Sequence, residues 1–234
     1  MHTPFCPRPT LLVALCVFSM GCSPVRQVRP LAPGERSISL GLGGSLTEIG
    51  SVTIPLPQLS LGYNHGFLGG GPFGHLDGTA AVYFLSMAYG VGHIELGANW
   101  RPLLPDRLKP GVTISPRLFA TTDFTPGGVR VYPDLGLTLS TRVTPQLYPY
   151  AGLESFFVLS RTRPDNNPTP SHWIPSLYAG AEVGGERLRV TFEGRLTAFH
   201  LPNEMGRAVQ NVGAGEKGHF GLYLGVSRTL RGRS

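Results

Sequence analysis

The chain has 234 residues, a formal charge of +6 and a pI near 9.5, yet Asp, Glu, Lys and Arg make up only 15% of it. Its basic side chains are scattered, with no basic run, no basic helical stripe and no basic patch interleaved with aromatics, so nucleic acid is a poor partner. The length allows one domain, and 32 glycines with 22 prolines punctuate nearly every window, so no long helical stripe develops.

The first element in chain order is an export signal over residues 1–21. Its apolar run LLVALCVFSM, from Leu11 to Met20, is too short to cross a bilayer as a helix, which takes about 20 residues, but it suits the core of a signal peptide. Arg8 supplies the basic charge ahead of it. Ser19 and Gly21 stand three and one before Cys22, where a signal peptidase prefers small residues, and Gly21-Cys22 resembles the end of a bacterial lipobox. Lipoproteins usually carry Leu where Ser19 stands. The mature chain is expected to begin at Cys22, either acylated there or left with a free thiol. Cys6, Cys16 and Cys22 are the only cysteines, so the mature protein has no disulfide and no Cys-based metal site. Residues 22–35, rich in Pro and Arg, read as a lipid-anchored tether, and residues 36–234 as the domain.

That domain alternates between apolar and polar side chains. From Arg187, RLRVTFEGRLTA sets Leu188, Val190, Phe192, Leu196 and Ala198 on one face, and Arg187, Arg189, Thr191, Glu193, Arg195 and Thr197 on the other. The pattern recurs at about 37–44, 57–64, 78–88, 93–100, 110–119, 129–141, 146–158, 172–184 and 219–227. This predicts about ten strands, with eight as the alternative, because the contrast of short turns and long loops fails at 89–92 and 101–109 and Pro116 interrupts one segment. Small residues and glycines share the polar face, as a narrow barrel needs if it is to close around a few large polar side chains. The expected fold is all-β: a closed antiparallel up-and-down membrane barrel with its apolar row outward, since strands can cross a bilayer only when closure satisfies their edges. The structural alternative is a soluble lipocalin-like barrel with the faces reversed.

Inside such a barrel, Arg187, Arg189, Glu193, Arg195, Glu182, Glu154 and Glu95 are expected to form an ion-pair network. It would fill the lumen as a plug or, in the alternative, line a narrow anion-favouring pore. Tyr132-Pro133, Tyr148-Pro149 and Ile174-Pro175 open three strands. Tyr132, Tyr148, Tyr150 and Trp173 are therefore the candidates for an interfacial aromatic girdle.

There is no phosphate loop, GxSxG elbow, HExxH helix or calcium loop, and neither a cofactor nor a metal is expected. Ala198-Phe199-His200-Leu201-Pro202-Asn203-Glu204 distantly resembles the site of outer-membrane lipid A deacylases, which carry His-x-Ser-Asn near the C-terminus. His200 and Asn203 match, Glu204 is the nearby acid, and Pro202 replaces the serine that would form the acyl-enzyme. In general organisation the chain resembles small bacterial outer-membrane barrel proteins. That resemblance implies an exported protein whose partners are outer-membrane lipid and an extracellular or envelope ligand. The expected role is non-catalytic, structural or interactive, through loops at 64–78, 159–172 and 199–216. A lipid-modifying esterase and a small-solute pore are the alternatives.

Overall fold

The computed structural model describes residues 26–49, 52–55, 58–84, 91–107, 109–123, 129–159, 171–202 and 210–230. The export signal, Cys22, Asn203 and Glu204 lie outside the described residues. The strands are β1 (Arg36–Ile49), β2 (Val52–Pro55), β3 (Gln58–Leu68), β4 (His75–Tyr83), β5 (Val91–Leu103), β6 (Gly111–Asp123), β7 (Val129–Ser140), β8 (Leu147–Phe157), β9 (Trp173–Gly184), β10 (Leu188–Pro202), β11 (Gln210–Asn211) and β12 (Lys217–Leu230).

Ten of them close into an antiparallel barrel in the order β1, β3, β4, β5, β6, β7, β8, β9, β10, β12 and back to β1. Each segment expected from alternation coincides with one barrel strand, so the choice between eight and ten resolves to ten. The seam is set by β1, where Leu40 lies between Val226 of β12 and Leu61 of β3. No edge is left open around the barrel, which is the condition for placing strands in hydrocarbon. Pro116 is accommodated in β6: it pairs with Leu135 on one side. On the other side the ladder passes from Gly97 opposite Arg117 to Trp100 opposite Ile114, so the missing N–H falls in the gap. Sequence alternation did not anticipate β2 and β11, which pair with the last residues of β1 beyond the barrel wall.

The faces have the membrane orientation. Ile38, Leu40 and Leu42 of β1, Leu135, Leu137 and Leu139 of β7, and Phe220, Leu222, Leu224 and Val226 of β12 point outward and are exposed. Between them, Ser37, Ser39, Asp134, Thr138, Tyr223 and Ser227 are buried. A lipocalin-like barrel would show the reverse, and that alternative is overturned.

Strand alternation also decides which connections share an end. The chain enters β1 at one end of the barrel and leaves β12 at the same end, together with the connections 69–74, 104–110, 141–146 and 185–187. At this near end Asp106 pairs with Arg142 of the neighbouring connection. The Asp106 carboxyl is held below its usual range, first by the Arg107 backbone N–H and next by that guanidinium. The far end holds the opposite ends of the same strands: Ile49 and Gln58, Tyr83 and Val91, Asp123 and Val129, Phe157 and Trp173, Pro202 and Lys217. The loop expected at 64–78 is therefore corrected on two counts. Most of it belongs to β3 and β4, and its turn lies at the near end, opposite the ends of β8, β9, β10 and β12 that flank the other two expected loops.

Outward placement makes a direct prediction. Leu224, between Phe192 and Leu42 at mid-strand, should lower stability by about 2–4 kcal/mol when changed to Arg in a bilayer. Urea unfolding of the protein in lipid vesicles measures this, and an unchanged midpoint would contradict the outward orientation.

Candidate functional site: the filled lumen

Residues 26–31, within the stretch expected to act as a tether, run inside the barrel, and 32–35 turn at its near end, with Ala32, Pro33 and Gly34 exposed. Ala32-Pro33-Gly34-Glu35 forms a tight turn closed by the Glu35 N–H donating to the Ala32 carbonyl at 2.9 Å. Pro at its second position and Gly34 at φ +79° in the third are the residues this turn requires. Gly34 and Glu35 then pair with Gly66 of β3 at 2.9 Å. A side chain at Gly66 would collide with the Ala32 carbonyl, so glycine there makes room for the returning chain. From the turn, residues 31 back to 26 pass from the near end toward mid-barrel. Arg26, Val28 and Leu31 are almost wholly buried, at 3%, 2% and 0% exposure. We call this segment the strap.

Wall residues hold the strap by its backbone. Arg101 donates from Nη2 to the Gln27 carbonyl at 2.7 Å and from Nε to the Val28 carbonyl at 3.2 Å. The Val28 N–H donates to Glu182 Oε2 at 3.0 Å, and the Leu31 N–H to Asp77 Oδ1 at 3.4 Å. Arg101 is itself oriented by its ion pair with Asp77.

Two pockets take the strap's arginines. Arg26 lies over the Tyr178 ring with Cζ 3.7 Å from its centroid, and pairs with Glu154 at 2.8 Å and Glu193 at 3.2 Å. Gly136 leaves the space its guanidinium uses, since a Cβ there would stand 3.4 Å from Nη1. Arg29 lies 4.9 Å over Tyr148, pairs with Glu182 and donates to the Gly184 carbonyl at 3.1 Å. Each pocket thus joins an aromatic face to a carboxylate, and desolvation strengthens both attractions.

Glu154 is the hub of the middle layer. It takes Arg26, Arg195 at 2.7 Å and Arg117 at 3.4 Å. Arg195 also pairs with Glu193 at 2.7 Å, and Arg117 with Glu95 at 3.5 Å. Asp134 stands beside Glu154, with Arg117 and Arg26 as the nearby cations. Tyrosines cap the carboxylates: Tyr150 donates to Glu193 at 3.0 Å and Tyr83 to Glu95 at 2.6 Å. Above this layer, toward the far end, Tyr83, Phe119, Tyr132 and Phe156 form an aromatic cluster, with His93 stacked on Tyr83 at 4.3 Å.

Among the described residues, the buried charges of the wall are Arg101, Arg117, Arg189 and Arg195 against Asp77, Glu95, Asp134, Glu154, Glu182 and Glu193. The wall alone is formally short of two cations. Arg26 and Arg29 supply them, which matters because an unpaired buried ion costs several kcal/mol.

Of the residues expected in the ion network, Arg189, Glu193, Arg195, Glu182, Glu154 and Glu95 are buried in the lumen. Arg187 is not: it falls in the turn before β10 and is exposed, so its inward parity has no wall to act through. The girdle assignment needs a larger correction. Tyr132, Tyr148 and Tyr150 are buried in the lumen, at 5%, 9% and 4% exposure, and only Trp173 faces outward. The reason is the two-residue strand period, which places Tyr132 on the face of Asp134 and Gly136, and Tyr148 and Tyr150 on the face of Gly152 and Glu154. Gly152 and Gly180 leave space for the Tyr178 and Tyr150 rings respectively. Arg26, Arg29, Asp77, Arg101, Arg117 and Asp134 were missed. For Arg101 the parity of Glu95, Gly97 and Asn99 pointed inward, but the strand was expected to end at Trp100.

His200 lies at the far-end rim, exposed and 5.7 Å from the Trp173 ring. Its Nε2 is 3.3 Å from Ser171 Oγ, a hydroxyl that donates to the Trp173 carbonyl at 2.6 Å. A hydroxyl committed in that way is not poised to pass its proton to imidazole.

No protein-family model matches this sequence, and no curated protein matches it. Several solved structures share the architecture. An outer membrane channel from Pseudomonas putida F1 is 12% identical over 88% of this chain and 100% of that one, with a TM-score of 0.51. The translocator domain of autotransporter NalP from Neisseria meningitidis is 14% identical over 86% and 90%, with a TM-score of 0.46. The β domain of the Bordetella autotransporter BrkA is 11% identical over 82% and 98%, with a TM-score of 0.47. The fold shared with the channel agrees with the outward apolar face and the closed sheet.

The hub role of Glu154 predicts that Glu154→Ala, by taking one of two carboxylate partners from each of three buried guanidinium groups, lowers stability by about 3–5 kcal/mol. Gln146→Ala, in the exposed turn 141–146, should change it by less than about 0.5 kcal/mol. Urea denaturation of the two variants side by side measures the difference.

Proposed function

We propose that this protein is an exported, plugged barrel of the bacterial outer membrane that works without catalysis, presenting its far-end connections to a ligand outside the cell. The observation that carries the reading is the filled lumen: the strap, six arginines, six carboxylates and an aromatic cluster occupy the axis along which solute would move. Ten strands enclose a narrow interior in any case. The near end, with short turns and both ends of the barrel chain, fits the periplasmic side, and the far end fits the exterior. There β1 continues past the wall and is flanked by β2 and β11, so the connections it carries are presented from an ordered base.

In planar bilayers the purified full chain is expected to give no discrete conductance steps, while migrating differently in detergent before and after boiling. Regular steps from the unaltered protein would replace the plugged reading with that of a pore. Deletion of 160–170 should leave the barrel intact and abolish binding to the exterior ligand. A deletion without effect on any binding or envelope phenotype would argue against a loop-borne role.

An acyl anchor at Cys22 belongs to the same proposal. Palmitate labelling compared between wild type and Cys22→Ser tests the anchor, and a barrel that takes up no label in either would remove it.

A further inference from the structure

We propose that the lumen wall is a binding site for a doubly basic peptide of the pattern Arg-x-x-Arg, and that residues 26–31 of this chain are its exchangeable occupant. The inference rests on the plugged reading above and goes beyond it by naming what the wall recognises.

Three features distinguish a recognition site from a merely packed interior. The wall reads the strap's main chain at Gln27, Val28 and Leu31, through Arg101 to the Gln27 and Val28 carbonyls, Glu182 to the Val28 N–H and Asp77 to the Leu31 N–H. Contacts of this kind fix the path and direction of the bound chain, which bends at Arg29. The two pockets are spaced for arginines three residues apart: Tyr178, Glu154 and Glu193 around Arg26, and Tyr148, Glu182 and the Gly184 carbonyl around Arg29. A planar guanidinium satisfies both the aromatic face and the carboxylate fork, whereas the point charge of Lys satisfies them less well. Finally, the wall is formally two cations short without the strap, so it attracts an occupant carrying two positive charges and repels an acidic one.

The strap also has the attributes of a removable ligand. It enters from the open near end and belongs to no strand, and its only ladder-like pairing is the contact of Gly34 and Glu35 with Gly66 at its exit. The arginines fit the wall without covalent attachment, so the same sequence supplied separately meets the same contacts. Removing the strap exposes a cavity whose wall carries a net excess of carboxylates, which favours cations.

The experiment uses two variants in the full chain, Arg26→Gln/Arg29→Gln and deletion of 26–32, with a fluorescent synthetic peptide corresponding to residues 23–33. Heat-modifiable migration first confirms a folded barrel. Wild type, its site occupied, should bind little peptide, and both variants should bind it saturably. A peptide with both arginines changed to Gln should bind about thirtyfold more weakly or worse, since each loses a buried charge partner. Equal binding of the two peptides, or folded variants that bind neither, would overturn the proposal. If neither variant forms a barrel, the strap is a fixed part of the fold rather than an occupant, and the proposal falls on that result too. Conductance steps from the unaltered chain would refute the plugged reading separately, while the peptide-binding comparison still judges the recognition site.

Discussion

Charge balance inside a closed sheet is the constraint on which this structure depends. A barrel in hydrocarbon turns its apolar row outward to lipid, and its polar row must then be satisfied in a space too narrow for bulk water to do the work. Glu154 shows the solution. It is surrounded by Arg26, Arg117 and Arg195, and each of these reaches a second carboxylate, so no member of the middle layer depends on one partner. The layer ties β5, β6, β8 and β10 together across the lumen, adding to the backbone pairing of neighbouring strands. A network so connected loses more on removal of one member than any single pair is worth.

Glycine placement is the other half of that solution. Tyrosine rings fit in the lumen because glycines face them: Gly152 opposite Tyr178 and Gly180 opposite Tyr150. These two glycines mark where the rings cross the interior, and Gly66 admits the returning chain at Ala32.

Much of this was legible from alternation alone, because a two-residue period fixes both the existence of a strand and the face of every side chain on it. All ten barrel strands and the inward row of Arg189, Glu193 and Arg195 followed from that rule. The same rule, applied from Gly136 and Gly152, would have sent Tyr132, Tyr148 and Tyr150 inward. The association of tyrosine with membrane interfaces overrode a stronger local signal. Arg101 and Asp77 were missed for another reason: they lie at strand ends, where hydrogen bonding across the sheet extends a strand past the point at which its pattern fades. The strap's location could not come from periodicity, since residues 26–31 are not a strand. Pro33-Gly34 did mark the reversal of the chain; what it could not show is that the reversal leads into the barrel rather than away from it.

The seam between β1 and β12 carries a consequence for assembly. Every other pairing around the barrel joins strands that follow one another along the chain, apart from the short β2 and β11, whereas the seam joins residues 36–45 to residues 221–230. Contacts between chain neighbours form at low entropic cost, and the closure spanning nearly the whole domain comes last. The strap lies immediately ahead of β1, so it is carried to the interior by the strand that completes the ring. The first stretch of the domain to be synthesised is thus among the last to be enclosed, and its two arginines arrive as the acidic interior they neutralise is sealed from water.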